Sequence, residues 1–192
     1  MEILFATTNA NKLLEIRNAL QSHFTVRSLS DINLILEEVD EPYNTLEENA
    51  VHKATSYAAL TGIDCFSEDT GLEVDFLNGA PGVRSARFAG EPADTKKNIE
   101  LLLSSMGNTD QRNAQFRTVI ALSLNGHIYT FEGICKGHII NQAKGEGGFG
   151  YDPVFIPEGA DLTFAEMKTL EKNIYSHRKK AFSKMISFLR EK

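Results

Sequence analysis

The segment Phe116–Gly137 constrains the fold more than any other part of the chain. Two alternating runs, Phe116–Leu124 and His127–Gly137, flank the dipeptide Asn125-Gly126. A two-residue turn that joins twisted antiparallel strands needs φ > 0 at its centre, and Asn and Gly tolerate this best. The spacing therefore predicts a β-hairpin. Any sheet that this chain builds must contain an antiparallel pair.

The first hundred residues follow a different pattern. Glu2–Ala6 reads as a short apolar strand. Asn9 to about Ser22 follows with helical spacing at Leu13, Ile16 and Leu20, and Thr8 or Asn9 can cap it. Phe24–Leu29 reads as a second strand, and Leu34–Tyr43 is mixed and acidic. Thr45 to about Leu60 predicts a helix opened by the capping pair Thr45 and Glu48 and stopped by Gly62. Ile63–Ser67 reads as a short buried strand closed by Glu68-Asp69. Asp94 to about Met106 is a further capped helix, Pro153–Ile156 a short strand, and Tyr175 or Ser176 begins a last helix to Arg190. Strands alternating with helices imply parallel crossovers. Together with the hairpin they give an α/β fold, a mixed central sheet flanked by helices. The 192 residues show no repeat and no linker, so we expect a single domain over 1–192.

Charge and composition narrow the partners. The formal net charge is −6, and the only dense basic run is His177–Lys180. This argues against binding of polymeric nucleic acid. No apolar run reaches the roughly 20 residues of a bilayer span, so no membrane partner is expected. MEILFATTNANK lacks the features of a signal peptide, and we expect a cytoplasmic protein. Cys65 and Cys135 have no metal-type or redox-type spacing and read as reduced core thiols.

Four constellations carry chemistry. TTNANK, Thr7 to Lys12, lies on a strand-to-helix turn. It reads as a phosphate cradle of backbone N–H groups, hydroxyls and one ammonium, or as a plain helix cap with a surface lysine. Glu41, Glu68 and Asp69 read as a Mg²⁺ site completed by substrate phosphates, or as a solvated acidic turn. GEGGFGYDP packs four glycines around Phe149. Its aromatic ring can stack on a planar base, or Phe149 and Tyr151 can fold into the core. Ser176-His177-Arg178, with Lys172 one turn earlier, offers donors for a carbonyl oxygen or phosphate, or is a basic surface turn.

Five motifs in order, TTNANK, DEP with ENAVHKA, SEDTGLEVDFLNGAPGVRSARFAG, GEGGFGYDPVF and SHR, resemble the inosine triphosphate pyrophosphatase family from Thr7 to Arg178. The family hydrolyses non-canonical purine nucleoside triphosphates. The resemblance implies an elongated fold of two lobes with the active site in the cleft between them, a homodimer and a Mg²⁺ requirement. It implies that Thr7, Thr8, Asn9, Ala10, Asn11 and Lys12 bind the triphosphate and that Glu41 binds metal. Asp69 matches the catalytic proton acceptor, which also lies at the metal. Thr70 matches a substrate contact, and Phe149, Gly150, Tyr151 and Asp152 match the base-binding segment. Lys172, His177 and Arg178 match the remaining substrate contacts, the last two at the 6-oxo edge of the purine. The chain departs from the family at Thr8, where Gly or Ser is common, and at Pro42–Thr45, where the family often has T-G-x-T.

Two rivals are separable on residues. A Maf-type nucleotide pyrophosphatase would lack the FGYD and SHR pair. A nucleotide-binding regulatory module has no need of Asp69 beside the phosphates.

Overall fold

The structure, a computed structural model, describes residues 2–7, 9–19, 25–32 and 39–191. The elements are β1 (Glu2–Phe5), α1 (Ala10–Ala19), β2 (Thr25–Ser28), α2 (Leu46–Thr61), β3 (Cys65–Val74) and β4 (Pro81–Gly82). They continue with α3 (Thr95–Met106), β5 (Asn113–Leu124), β6 (His127–Ile139), β7 (Phe155–Pro157), α4 (Thr169–Tyr175) and α5 (His177–Arg190). The strands bond in the order β2-β1-β3-β5-β6-β7, with β4 pairing onto β3. β1 runs parallel to β2 and β3, whereas β4 and β7 pair antiparallel with β3 and β6. The fold is a mixed α/β fold, as the alternation of elements predicts.

Local chemistry sets most boundaries where expected. Asn125 and Gly126 take φ of 52° and 77°, and the hairpin forms around them. Thr45 caps α2 by accepting from Glu48 N, and Gly62 ends it in the left-handed region. Asp94 caps α3 through Lys97 N. Leu20, Phe24 and residues 34–38 of the acidic stretch, with Thr8, lie outside the described residues.

Two expectations change. β3 does not close at Glu68-Asp69 but carries both acids inside the strand and runs on to Val74. Acids are poor strand formers on a half-buried surface. Here Glu68 is neutralised by cations, and β4 gives the strand a partner through Leu72↔Gly82 and Glu73↔Pro81. Gly71 permits this approach, because a Cβ there would sit 2.5 Å from the Gly82 carbonyl oxygen. The second change is α4, which precedes α5 as a separate helix. Its Leu170 and Ile174 are 84% and 71% exposed, whereas Tyr175 at its end packs against the core cluster that holds Leu102 and Phe164.

The chain divides into two compact units, residues 1–69, 118–133 and 178–192, and residues 70–117 and 134–177. The first unit has a core of Ile3, Phe5, Ile16, Phe66, Ile120 and Met185 with their neighbours. Phe5 stacks on Phe66 at 4.6 Å, and Phe182 meets both edge-on. Each such side chain stabilises by about 1.5–3 kcal/mol on burial. The second unit packs Leu72, Leu102, Phe116, Phe155 and Phe164, with Phe116 edge-on to Phe155 at 4.7 Å. Cys65 and Cys135 are buried free thiols, as read from their spacing. Among the described residues no helix is long and apolar enough to cross a membrane.

Candidate active site

In the first unit the organising residue is Glu68, which the sequence reading groups with Glu41 and Asp69 as a Mg²⁺ site or an acidic turn and to which the resemblance gives no role. Its carboxylate is buried. Arg178 Nε donates to Oε2 at 2.8 Å, and Lys12 Nζ lies 3.1 Å from Oε1. Burial alone would push this carboxyl up. Arg178 and then Lys12 outweigh that effect and hold its pKa down at about 2. Glu68 therefore stays ionised and draws together cations from α1 and α5, which lie far apart in sequence.

Asp69, the next residue, is also buried, at 5% exposure. Lys53 on α2 donates to the Glu68 backbone carbonyl at 2.8 Å and to the Glu41 carboxylate. It ties the Glu41 segment to the strand carrying Asp69. Asn49, one turn earlier on α2, fixes the chain after Glu41 by bonding both the N–H and the carbonyl of Tyr43. Lys53 and Asn49 are functional candidates that sequence reasoning passed over. Both lie in the ENAVHKA motif, and membership of that motif was the available signal.

The TTNANK turn keeps both of its readings. Asn9 Oδ1 accepts from Asn11 N at 3.0 Å and Lys12 N at 3.2 Å, and Asn9 N donates to Thr7 Oγ1. Asn9 therefore caps α1, while the Lys12 ammonium reaches the Glu68 cluster. Thr8 lies outside the described residues, so its departure from the family pattern stays an observation on sequence alone.

The second unit holds the other candidates. Asp152 Oδ2 accepts from Phe149 N at 2.9 Å and from Lys172 Nζ at 2.8 Å. Lys172 Nζ also lies 5.2 Å above the Phe149 ring and 5.4 Å above the Phe164 ring. Phe149, Asp152 and Lys172 thus form one bracket, with Phe149 half-buried. Gly148 is required there: its φ is +72°, and a Cβ would lie 2.1 Å from Asp152 Oδ2. Tyr151 is buried, and its hydroxyl donates to the Ser85 carbonyl at 2.9 Å. His177 is buried and stacks on Phe116 at 4.8 Å with rings 12° apart. His177 and Arg178 are adjacent in sequence but take different partners, Phe116 for one and Glu68 for the other. Thr70 follows Asp69 in β3 and is half-buried.

A hard cation fits this donor set. Among the described residues, no three His, Cys, Asp or Glu side chains gather into a cage. Mg²⁺ needs no cage, since it takes one or two carboxylates and completes its shell with water and substrate phosphates. Glu41 and Asp69 supply donors of that kind.

Comparison with known proteins agrees with this architecture. The Ham1 family pattern matches residues 3–188. A dITP/XTP pyrophosphatase of Christiangramia forsetii is 47% identical over 189 residues, 98% of this chain and 99% of that protein. The dITP/XTP pyrophosphatase of Bacillus subtilis is 41% identical over 192 residues, covering 98% of this chain and 96% of that protein. The structure of a HAM1 protein from Coxiella burnetii superposes with a TM-score of 0.91 at 33% identity, covering 100% of each chain. That of the Staphylococcus aureus Ham1 protein superposes with a TM-score of 0.89 at 36% identity, covering 100% of this chain and 99% of the other. Sequence and fold agree over the whole length, and the chain belongs to the Ham1 family.

Proposed function

We propose that this protein hydrolyses non-canonical purine nucleoside triphosphates, ITP, dITP and XTP, to the nucleoside monophosphate and pyrophosphate, and so clears them from the nucleotide pool. The observation that carries this reading is the cluster of Lys12, Lys53 and Arg178 around Glu68, beside buried Asp69. Three cations held beside a buried carboxylate, in a chain of net charge −6, suit a polyanionic substrate and a proton acceptor. The relatives named dITP/XTP pyrophosphatases support the same reaction.

In the proposed reaction Lys12 and the α1 N-terminus hold the triphosphate. Asp69 accepts a proton from the water that attacks the α-phosphorus, and pyrophosphate leaves. Glu41 and Asp69 would hold Mg²⁺ together with the substrate phosphates, and the ion would supply neutralisation of charge on the phosphate oxygens. Phe149 offers its ring to the base. Arg178 and His177 supply donors for a 6-oxo group, which ATP lacks. A site built to satisfy an acceptor rejects an analogue that leaves its buried donors unpaired. We expect the working form to be a homodimer.

The test is pyrophosphate release from a panel of ITP, dITP, XTP, GTP, ATP and CTP, with and without Mg²⁺. We expect release from the first three, abolished by chelation. Equal turnover of ATP and ITP would overturn the base assignment, and no release from any nucleotide would overturn the activity.

A further inference from the structure

The loop after β3, Asn78–Gly90, takes no part in the reaction above, yet it is bonded at several points. Ser85 Oγ accepts from Leu72 N at 2.8 Å and donates to the Gly82 carbonyl at 2.6 Å. The Ser85 carbonyl accepts from the Tyr151 hydroxyl at 2.9 Å. From α3, Asn98 Oδ1 accepts from Ala89 N at 2.7 Å, and Asn98 Nδ2 donates to the Ala86 carbonyl at 2.9 Å. Asn98 is 4% exposed, so its amide spends its donor and acceptor on this loop away from water. A buried amide is kept where its bonds are all made, because leaving them unmade is costly.

These contacts form one chain of connection. β3, two residues beyond Thr70, is joined through Ser85 to Tyr151. Tyr151 precedes Asp152, and Asp152 bonds the backbone N–H of Phe149. We propose that Ser85 and Asn98 are positioning residues for base recognition: they fix Tyr151, and through it the placement of Phe149. In this assignment Tyr151 is an anchor of the base-binding segment and does not itself read the base. The Tyr151 phenol is a neutral donor at physiological pH even without a shift, and burial pushes it further up. The inference rests on the reading that Phe149 meets the base.

Positioning should appear with a nucleotide and vanish with a base-free polyphosphate. The experiment measures KM and kcat for ITP and the inhibition constant of inorganic tripolyphosphate. The variants are Asn98→Asp, Tyr151→Phe and Phe149→Ala, each with its melting temperature. Asn98→Asp keeps the acceptor for Ala89 N and loses the donor to Ala86. Tyr151→Phe removes only the hydroxyl. For both we expect KM for ITP to rise about threefold to tenfold, the scale of one neutral hydrogen bond, with kcat changed less. Inhibition by tripolyphosphate should stay at the wild-type value. Should Asn98→Asp fail to fold, Tyr151→Phe decides alone. If Tyr151→Phe leaves ITP untouched while Phe149→Ala raises its KM, the positioning role falls and the base assignment stands. If Phe149→Ala also leaves KM for ITP unchanged, the base assignment falls and takes the proposal with it. A parallel loss for ITP and tripolyphosphate marks a general structural role and overturns the proposal too.

Discussion

His177 and Arg178 share a peptide bond, and each belongs to a region held together by different forces. Arg178 sits in the first unit, where a buried carboxylate collects an arginine and a lysine. His177 sits in the second unit, stacked on Phe116 among aromatic rings, where the contacts are mostly apolar and the hydrogen bonds mostly neutral. An ion-pair cluster is costly to break, because removing one member strands the others in a low-dielectric site. An aromatic bracket loses its contacts more gradually. The first region therefore gathers charge and the second stacks aromatic rings; under the proposed function the one would hold the phosphates and the other would face the base. The second unit has ion pairs of its own, Arg117–Glu73 and Lys172–Asp152, and the latter holds the loop that carries Phe149.

The largest effect should come from Asp69→Asn in the first region. The amide cannot take a proton from water, and the contacts of Lys12 and Lys53 do not depend on it. A general base contributes typically 10²–10⁴-fold, so kcat should fall by about that factor while nucleotide binding persists. Stopped assays for turnover and equilibrium dialysis for binding separate the two. Turnover near wild type would remove Asp69 from the reaction. No variant of the aromatic bracket should lower kcat as far.

Glu68→Gln comes next and tests the charge cluster as a structural device. The carboxyl is depressed from 4.5 to about 2 by its two cations. A group with a lowered folded pKa contributes stability above its unfolded pKa and loses it as pH falls through the folded one. At neutral pH the variant should be less stable by roughly 3 kcal/mol, the cost of leaving buried cations without their counter-charge. That gap should shrink as pH drops from about 4.5 to about 2, where wild-type Glu68 itself becomes neutral. Chemical denaturation of both proteins across that range reads it directly. A gap independent of pH would assign the loss to packing.

The sequence displayed much of this, unevenly. The hairpin was legible because Asn125-Gly126 is a local signal with a steric cause. The caps at Thr45, Gly62 and Asp94 were legible for the same reason. The continuation of β3 through Glu68 and Asp69 was hidden, because the cations that make acids tolerable in a strand come from α1 and α5, distant in the chain. Lys53 and Asn98 were hidden for a related reason. An inward lysine or asparagine on a helix has no periodic signature, and its partner is known only once the fold is. The resemblance supplied the family's contact residues, but not the division of labour among Phe149, Tyr151 and Asp152.

Of the variants that break the charge cluster, Arg178→Lys should have the smallest effect, and it bears most closely on the comparison between the two neighbours. Removing the side chain altogether would strand Glu68, so a loss of activity would mix folding with recognition. Lysine keeps a cation beside Glu68 and gives up the planar fork of donors, which is not interchangeable with an ammonium at a directional site. If Arg178 donates to the 6-oxo group, kcat/KM for ITP should fall by about tenfold, the scale of one charge-assisted hydrogen bond. ATP presents an amino group there and never made that bond, so its kcat/KM should fall much less, and the gap between the two nucleotides should narrow. His177 is stacked on Phe116 and is left in place by the substitution. Whatever discrimination survives in the variant therefore measures its share. An equal fall for ITP and ATP would assign Arg178 wholly to the charge cluster and leave base selection to the aromatic region.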